Sequence, residues 1–269
     1  RLARAEFDAL VTALSEAGVR VHVVDDTPEP HTPDSIFPNN WVSFHADGTV
    51  VLYPMMAENR RLERRLDILD ALQAKGFSIR RIVDLSSSEQ HGKFLEGTGS
   101  LVLDRINSVA YACLSPRTDT DVLARFANEL GYELEVFEAI DAAGVPIYHT
   151  NVLMWIGERV AAVCAESIRG DARTRVCRRL RDSGREVVEL DAQQMHAFAG
   201  NMLELRTERG ERVLAMSTTA HDALNADQRE RLSTHFAEFV KVPIPTIERL
   251  GGGSIRCMLA EIHLPLASA

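Results

Sequence analysis

The run Phe94-Leu95-Glu96-Gly97-Thr98-Gly99-Ser100-Leu101-Val102-Leu103, read on to Phe137, sets out the unit from which the chain is built. Apolar patterning predicts a strand near Phe94–Leu103 and a second near Ser108–Leu114, with Ile106-Asn107 between them. A helix over about Asp119–Leu130 follows, ended by Gly131, and then a strand near Glu133–Phe137. The order is strand, strand, helix, strand.

The same order recurs on both sides. Leu2, Phe7, Leu10, Val11 and Leu14 predict a helix over 1–17 that stops at Gly18, and Val19–Val24 reads as a strand. Asp34 to Phe44 leads into another strand, and Asp47-Gly48 turns the chain back through Thr49–Tyr53. A charged helix, Glu58 to Lys75, precedes a strand near Ser78–Val83. Strands near Tyr148–Ile156 and Val160–Ala165, a helix at 171–182 and a strand at Glu186–Leu190 make the next unit. A hairpin of Leu203–Thr207 and Glu211–Met216 then leads to a helix over about 220–238. Helix starts near 1, 58, 119, 171 and 220 are spaced by about 50 to 60 residues, the signature of a repeat architecture. Five units closing into a ring fit better than a doubly wound α/β sheet, which would alternate single strands with helices.

Composition narrows the function. With 269 residues, 45% of them hydrophobic and 26% charged, the chain is ordinary for a globular protein, expected as one domain over 1–269. A net charge of -9 argues against a nucleic-acid partner. No apolar run is long enough for a membrane span, and no signal-peptide pattern is present. Four widely spaced cysteines (Cys113, Cys164, Cys177, Cys257) with no C-x-x-C argue against a disulfide framework or a metal site, and for a reducing, cytoplasmic setting. No glycine-rich nucleotide loop is present, so no cofactor is expected. The chain opens inside a helical pattern, so a strand upstream of Arg1 is an expectation.

The polar residues that interrupt apolar strands carry the chemistry. Glu96 breaks one strand beside two glycines, and His149 and Asn151 break another, two apart and so on one face. Gly251-Gly252-Gly253-Ser254-Ile255-Arg256-Cys257 reads as a flexible loop that delivers a thiol to the start of a strand, with the charge of Arg256 nearby. A ring of repeats brings three such distant positions to its centre. Cys113, Cys164 and Cys177 read as core thiols, and the remaining histidines show no metal spacing.

Four ordered motifs carry a resemblance: Asp34-Ser-Ile-Phe-Pro-Asn-Asn-Trp41, Phe94-Leu-Glu-Gly-Thr-Gly-Ser100, Tyr148-His-Thr-Asn151 and Gly251-Gly-Gly-Ser-Ile-Arg-Cys257. Together they resemble the guanidino-group-modifying enzymes, the pentein superfamily, and within it the amidinotransferase-like branch of citrulline-utilisation hydrolases. The likeness runs essentially end to end. It implies an α/β fold, a five-bladed α/β propeller, with Cys257 as nucleophile, His149 as general acid and base, and Glu96 as the partner that keeps His149 protonated. It further implies that Arg117 grips a substrate α-carboxylate, and that Arg60 or Arg61, on a mobile loop, does the same.

Departures from the superfamily pattern point to the substrate. Asp34 remains, but Asn40 and Asn151 stand where enzymes acting on free arginine carry carboxylates. An amide gives up the charge pairing with a guanidinium, about 1.5 to 3 kcal/mol per charged hydrogen bond, yet suits a neutral ureido group. The expected partner is therefore a small amino-acid substrate such as citrulline, converted to ornithine, ammonia and carbon dioxide, with homo-oligomerisation left open. The alternatives are arginine or methylarginine deiminase or dihydrolase chemistry, and a non-catalytic ribosome-binding pentein.

Overall fold

The computed structural model describes residues 1–267. Its strands form four sheets of three. β1 (Val42–Phe44), β2 (Thr49–Leu52) and β3 (Arg81–Asp84) make the first, and β4 (Val102–Asp104), β5 (Val109–Cys113) and β6 (Glu133–Phe137) the second. β7 (Met154–Ile156), β8 (Val160–Val163) and β9 (Glu186–Glu189) make the third, and β10 (Leu203–Arg206), β11 (Arg212–Ser217) and β12 (Glu238–Val242) the fourth. In every sheet the first two strands pair antiparallel and the third pairs parallel to the second. A parallel return requires a crossover, and each crossover carries helix. This is the strand, strand, helix, strand unit that the chain's periodicity predicts.

Side-chain chemistry explains the order within each sheet. The middle strands β2, β5 and β8 are buried at every residue, because each is paired on both edges and covered. The outer strands β3, β6, β9 and β12 mix buried and exposed positions. The crossover helix Thr120–Leu130 begins where the Asp119 side chain accepts from the backbone of Asp121 and Val122, and ends at Gly131 with φ 71°. Its Val122, Leu123 and Phe126 pack on Ala110 and Ala112 of β5.

Several predicted elements differ, each for a local reason. Val19–Val24 forms no strand: its alternation finds no ladder partner, and Val23 and Val24 remain exposed. The predicted helix 58–75 is a 3-10 turn, Glu58–Glu63, and a separate helix, Asp67–Ala74. The predicted helix 220–238 is two helices, Thr218–Ala223 and Ala226–Ser233, because Asn225 starts a new one with a reciprocal capping box to Gln228. Helix Pro245–Gly251 takes in only the first residue of the expected glycine loop, and Gly252, φ 70°, closes it. The expected strand after Cys257 forms no ladder; the cysteine sits in a 3-10 turn, Ile255–Met258.

What positions the site is a set of short turns. Pro38–Asn40, Gly97–Ser100 and Thr150–Leu153 are single helical turns leading directly toward β1, β4 and β7. Residues 197–201 make a non-helical turn ahead of β10. Ile255–Met258 is the fifth turn. So the strands predicted over Phe94–Leu103 and Tyr148–Ile156 are each a turn followed by a short strand. Glycines set how closely these turns approach. A Cβ on Gly97 would lie 2.2 Å from the Asn39 carbonyl oxygen, and one on Gly200 2.1 Å from that of Val152. Gly251 and Gly253 face the Phe37 ring, where added Cβ atoms would come within 3 Å of it.

Gly200→Ala therefore sets a methyl against backbone that cannot swing away, and the expected cost is at least about 3 kcal/mol. Gly131→Ala meets open space and loses only the left-handed preference, about 1 kcal/mol. Urea unfolding of the two variants beside the wild type checks the contrast; equal losses would contradict it.

Candidate active site

Glu96 is fully buried at the start of its turn and is held by three donors from three segments. Its Oε1 accepts from the Met56 backbone N–H at 3.0 Å, and its Oε2 accepts from Arg117 Nη1 at 3.0 Å and from His149 Nε2 at 2.8 Å. Burial pushes the Glu96 carboxyl up. The His149 hydrogen bond and charge, the Arg117 charge and the Met56 N–H outweigh it and bring the group down to about 2. An ionised carboxylate can only accept, so the proton between the pair sits on His149 Nε2 and leaves Nδ1 as the open nitrogen.

His149 is buried just before the turn Thr150–Leu153, with its ring against that of Tyr148. Burial lowers its affinity for a proton; Glu96 raises it, and the charges of Arg117 and Arg60 lower it again, for a net shift downward. Burial and the two arginine charges thus work against the protonated form that the motifs assign to His149, while the Glu96 carboxylate favours it.

The same turn reaches the thiol through Asn151. Cys257 Sγ, in its turn Ile255–Met258, lies 3.4 Å from Asn151 Nδ2 and 3.3 Å from Asn201 Nδ2. Asn201 Nδ2 also donates to the Asn151 backbone oxygen at 2.9 Å. His149 and Asn151 thus meet the centre from the start of a helical turn, not from one face of a strand. Arg256 turns away and pairs with Glu261 at 3.2 Å. The other thiols lie elsewhere in the core, where burial pushes Cys113 up to about 12 and Cys164 and Cys177 upward.

Around this centre Arg117 is half-buried, 5.4 Å from the centroid of the Tyr148 ring, and the Tyr148 hydroxyl donates to the Gly252 carbonyl at 2.8 Å. Asn40 is buried, and its Oδ1 accepts from Arg60 Nη1 at 2.9 Å. Arg60 is itself buried, paired to Glu63 at 2.9 Å and 3.8 Å from the partly exposed Asp34 carboxylate. Arg61 bonds the Met55 carbonyl at 3.0 Å and faces Glu89. The structure therefore brings together Glu96, His149, Asn151 and Cys257, with Arg117, Asn40 and Asp34 around them. Arg60 turns inward onto protein groups.

Sequence reasoning missed Asn201, Asn39 and Glu63. For Asn201 a signal was present, since Gly200-Asn201 ahead of β10 repeats the glycine-plus-polar break seen ahead of β4. Five of the eight buried side-chain atoms without a protein partner among the described residues belong to this group: both amide atoms of Asn39, Asn40 Nδ2, Asn151 Oδ1 and Asn201 Oδ1. Buried polar atoms are rarely left unpaired, so these are positioned to serve a bound polar group. A separate cavity of about 1020 Å³ is lined by Pro38, Thr98, Met154, Met202, Arg256 and Met258 among others, and by none of Glu96, His149, Asn151, Asn201 or Cys257. Among the described residues, no cluster of three histidine, cysteine, aspartate or glutamate side chains could hold a metal ion, and no helix is long and apolar enough to cross a membrane.

A family model described as N,N dimethylarginine dimethylhydrolase, eukaryotic, matches residues 1–264. No curated protein sequence matches the chain. Among solved structures, it is similar to an arginine dihydrolase from the ornithine-ammonia cycle in Cyanobacteria, at TM-score 0.74 and 17% identity, over 99% of this chain but 38% of that one. The N-terminal domain of that enzyme, in a variant covalently bound to a reaction intermediate, matches at TM-score 0.74 and 16% identity, over 97% of this chain and 87% of that one. A dimethylarginine dimethylaminohydrolase bearing a 4-chloro-2-hydroxymethylpyridine adduct matches at TM-score 0.66 and 15% identity, over 95% and 89%.

Two measurements probe the site. A Glu96 carboxyl with a value near 2, against an ordinary 4.5, gives stability that is complete above about pH 4.5 and is lost as the pH falls toward 2. Carbon-13 NMR of the glutamate side chains is expected to find one carboxyl still ionised at pH 3 and absent from the Glu96→Gln spectrum; a Glu96 signal titrating near 4.5 would refute this. Asn201→Ala removes one N–H donor from Cys257 Sγ, and iodoacetamide labelling of Cys257 at a fixed pH is expected to slow about tenfold, since a charged hydrogen bond contributes roughly 1.5 kcal/mol or more; an unchanged labelling rate would refute this.

Proposed function

The chain belongs to the N,N dimethylarginine dimethylhydrolase family, within the guanidino-group-modifying superfamily that its motifs resemble, and from that premise of C–N bond hydrolysis we propose a cysteine-dependent hydrolase of the ureido group of citrulline. The observation that carries the substrate choice is the lining of Cys257. The polar side chains hydrogen-bonded to its sulfur are two amides, Asn151 and Asn201, and Asn151 and Asn40 stand where the superfamily pattern for free arginine carries carboxylates. Neutral amides can donate to a carbonyl oxygen and accept from an NH2, the two faces of a urea.

The proposed steps give each of these groups a task. Neutral His149 takes the thiol proton, and Glu96 stabilises the resulting imidazolium. The Cys257 sulfur attacks the ureido carbon, and the C–NH2 bond breaks as His149 returns the proton, releasing ammonia and leaving an S-carbamoyl adduct on ornithine's δ-nitrogen. His149 then takes a proton from water, which attacks the adduct carbon and expels the thiolate. The carbamic acid so formed decomposes to ornithine and carbon dioxide. Side-chain N–H groups of Asn151 and Asn201, already on the sulfur, and the backbone N–H groups around Gly253 to Cys257 are the candidates to receive the developing oxyanion. We assign Arg117 and Asp34, the partly exposed charges of the group, to the substrate's amino-acid end.

A second reading, arginine dihydrolysis by two rounds of the same chemistry, draws support from the similarity to an arginine dihydrolase. For the architecture, we read the four sheets, helix Leu2–Glu16 and segments 19–24 and 259–264 as five units of a five-bladed α/β propeller. The five turns converging on the site favour that reading.

Incubation with L-citrulline, L-arginine and dimethylarginine separately, with product identification, decides among these. Ornithine and ammonia from citrulline are expected, with turnover lowered about 10²- to 10⁴-fold in His149→Asn and abolished in Cys257→Ser. Citrulline accumulating from arginine without ornithine would make the enzyme a deiminase. Turnover unchanged in Cys257→Ser would remove the covalent step.

A further inference from the structure

We propose that Arg60, clamped by Glu63, is a positioning residue that locks the Asn40 side chain with its NH2 toward the reacting group, so that the site selects a carbonyl oxygen there and rejects a guanidinium. The inference deepens the reading of the site as a ureido hydrolase and rests on it.

The lock is built from groups with fixed hydrogen-bonding roles. A guanidinium only donates, so the Asn40 atom 2.9 Å from Arg60 Nη1 must be the oxygen. Rotating the amide would place NH2 against NH2. The guanidinium is held in turn by Glu63, through Nε at 3.0 Å and Nη2 at 2.9 Å, and by longer contacts at 3.4 Å to the carbonyls of Asp34 and Phe37. Arg60 and Glu63 are both buried, so neither has a competing water-exposed arrangement. Asp34 Oδ2, 3.8 Å from Arg60 Nε, adds charge on the exposed side.

The free end of the amide lies beside the open nitrogen of His149. Asn40 Nδ2 is buried and has no protein partner. It and His149 Nδ1 border the same small space: a Cβ on Gly99 would lie 2.5 Å from the first and 2.8 Å from the second. A donor fixed at this spot meets a carbonyl oxygen favourably, whereas every nitrogen of a guanidinium also donates. The sequence-based role for Arg60, a mobile grip on the substrate carboxylate, is replaced by a fixed one that acts through Asn40.

The test measures binding without turnover, in the full chain carrying Cys257→Ser, by calorimetry with L-citrulline and L-arginine. The parent is expected to prefer citrulline by about ten- to a hundredfold, the consequence of leaving one buried donor unsatisfied. Adding Arg60→Met with Glu63→Met removes the lock without stranding a buried charge, and the preference should fall to about threefold or less, because the amide can then turn and accept. If this variant has no cooperative melt, Arg60→Lys takes its place under the same criterion, since one ammonium cannot reach Glu63 and Asn40 together. A purely structural role would weaken both ligands in proportion, so a preference retained in a folded variant overturns the inference alone. A parent that prefers arginine overturns it while leaving C–N hydrolysis standing. A parent that binds neither ligand defeats the ureido reading and this inference with it.

Discussion

One buried negative charge organises the centre of the molecule. Glu96 has no exposure, and an ion in such a place is tolerable only when donors surround it. Its three donors come from separate parts of the chain: the backbone after β2, the segment after β5, and the turn before β7. Satisfying that carboxylate draws the first three sheets toward a common point and fixes the tautomer of His149 in the same act. Arg117 is tied in as well, and its contact with the Tyr148 ring continues the chain of contacts to the carbonyl of Gly252, a short way ahead of Cys257.

Steric constraint does the rest. The central turns approach so closely that methyl groups at Gly97, Gly99 or Gly200 would overlap backbone or the side chains of Asn40 and His149. The glycines ahead of Cys257 belong to this packing, since they make room for Phe37. Glycine in these motifs thus brings protein against protein, and the unpartnered polar atoms at the centre are supplied by asparagines. Amides suit that task because they hold both donor and acceptor capacity without the desolvation cost of a charge. Which end of each amide faces inward then depends on what holds the other end.

Burial also sets the resting chemistry. Enclosure turns His149 toward its neutral form against the pull of Glu96, whereas an exposed histidine beside a carboxylate would gain a proton. The Cys257 thiol, by contrast, has amide donors on its sulfur, Asn151 and Asn201, the first of them two residues after His149.

By itself the sequence determined the repeating unit and singled out Glu96, His149 and Cys257 as candidate reactive groups. Hydrophobic periodicity survives in one dimension, so the strand, strand, helix, strand order and the buried middle strands were legible. Glu96, His149 and Cys257 stood out because each breaks an apolar pattern beside glycine or another polar residue. The split of 220–238 at Asn225 and the short turns hidden inside 94–103 and 148–156 were not legible, because a few residues of turn look like strand until their neighbours are known. Only the tertiary structure decided what each polar group faces. Arg60 was read as reaching for substrate and is spent on Glu63 and Asn40; Arg256 was read as charge near the thiol and is spent on Glu261; Asn201 passed unnoticed and touches the sulfur. The physical reason is that hydrogen-bond partners here lie roughly 20 to 100 residues apart in several cases, and their geometry is set by close packing in three dimensions, about which residue type and spacing carry no information.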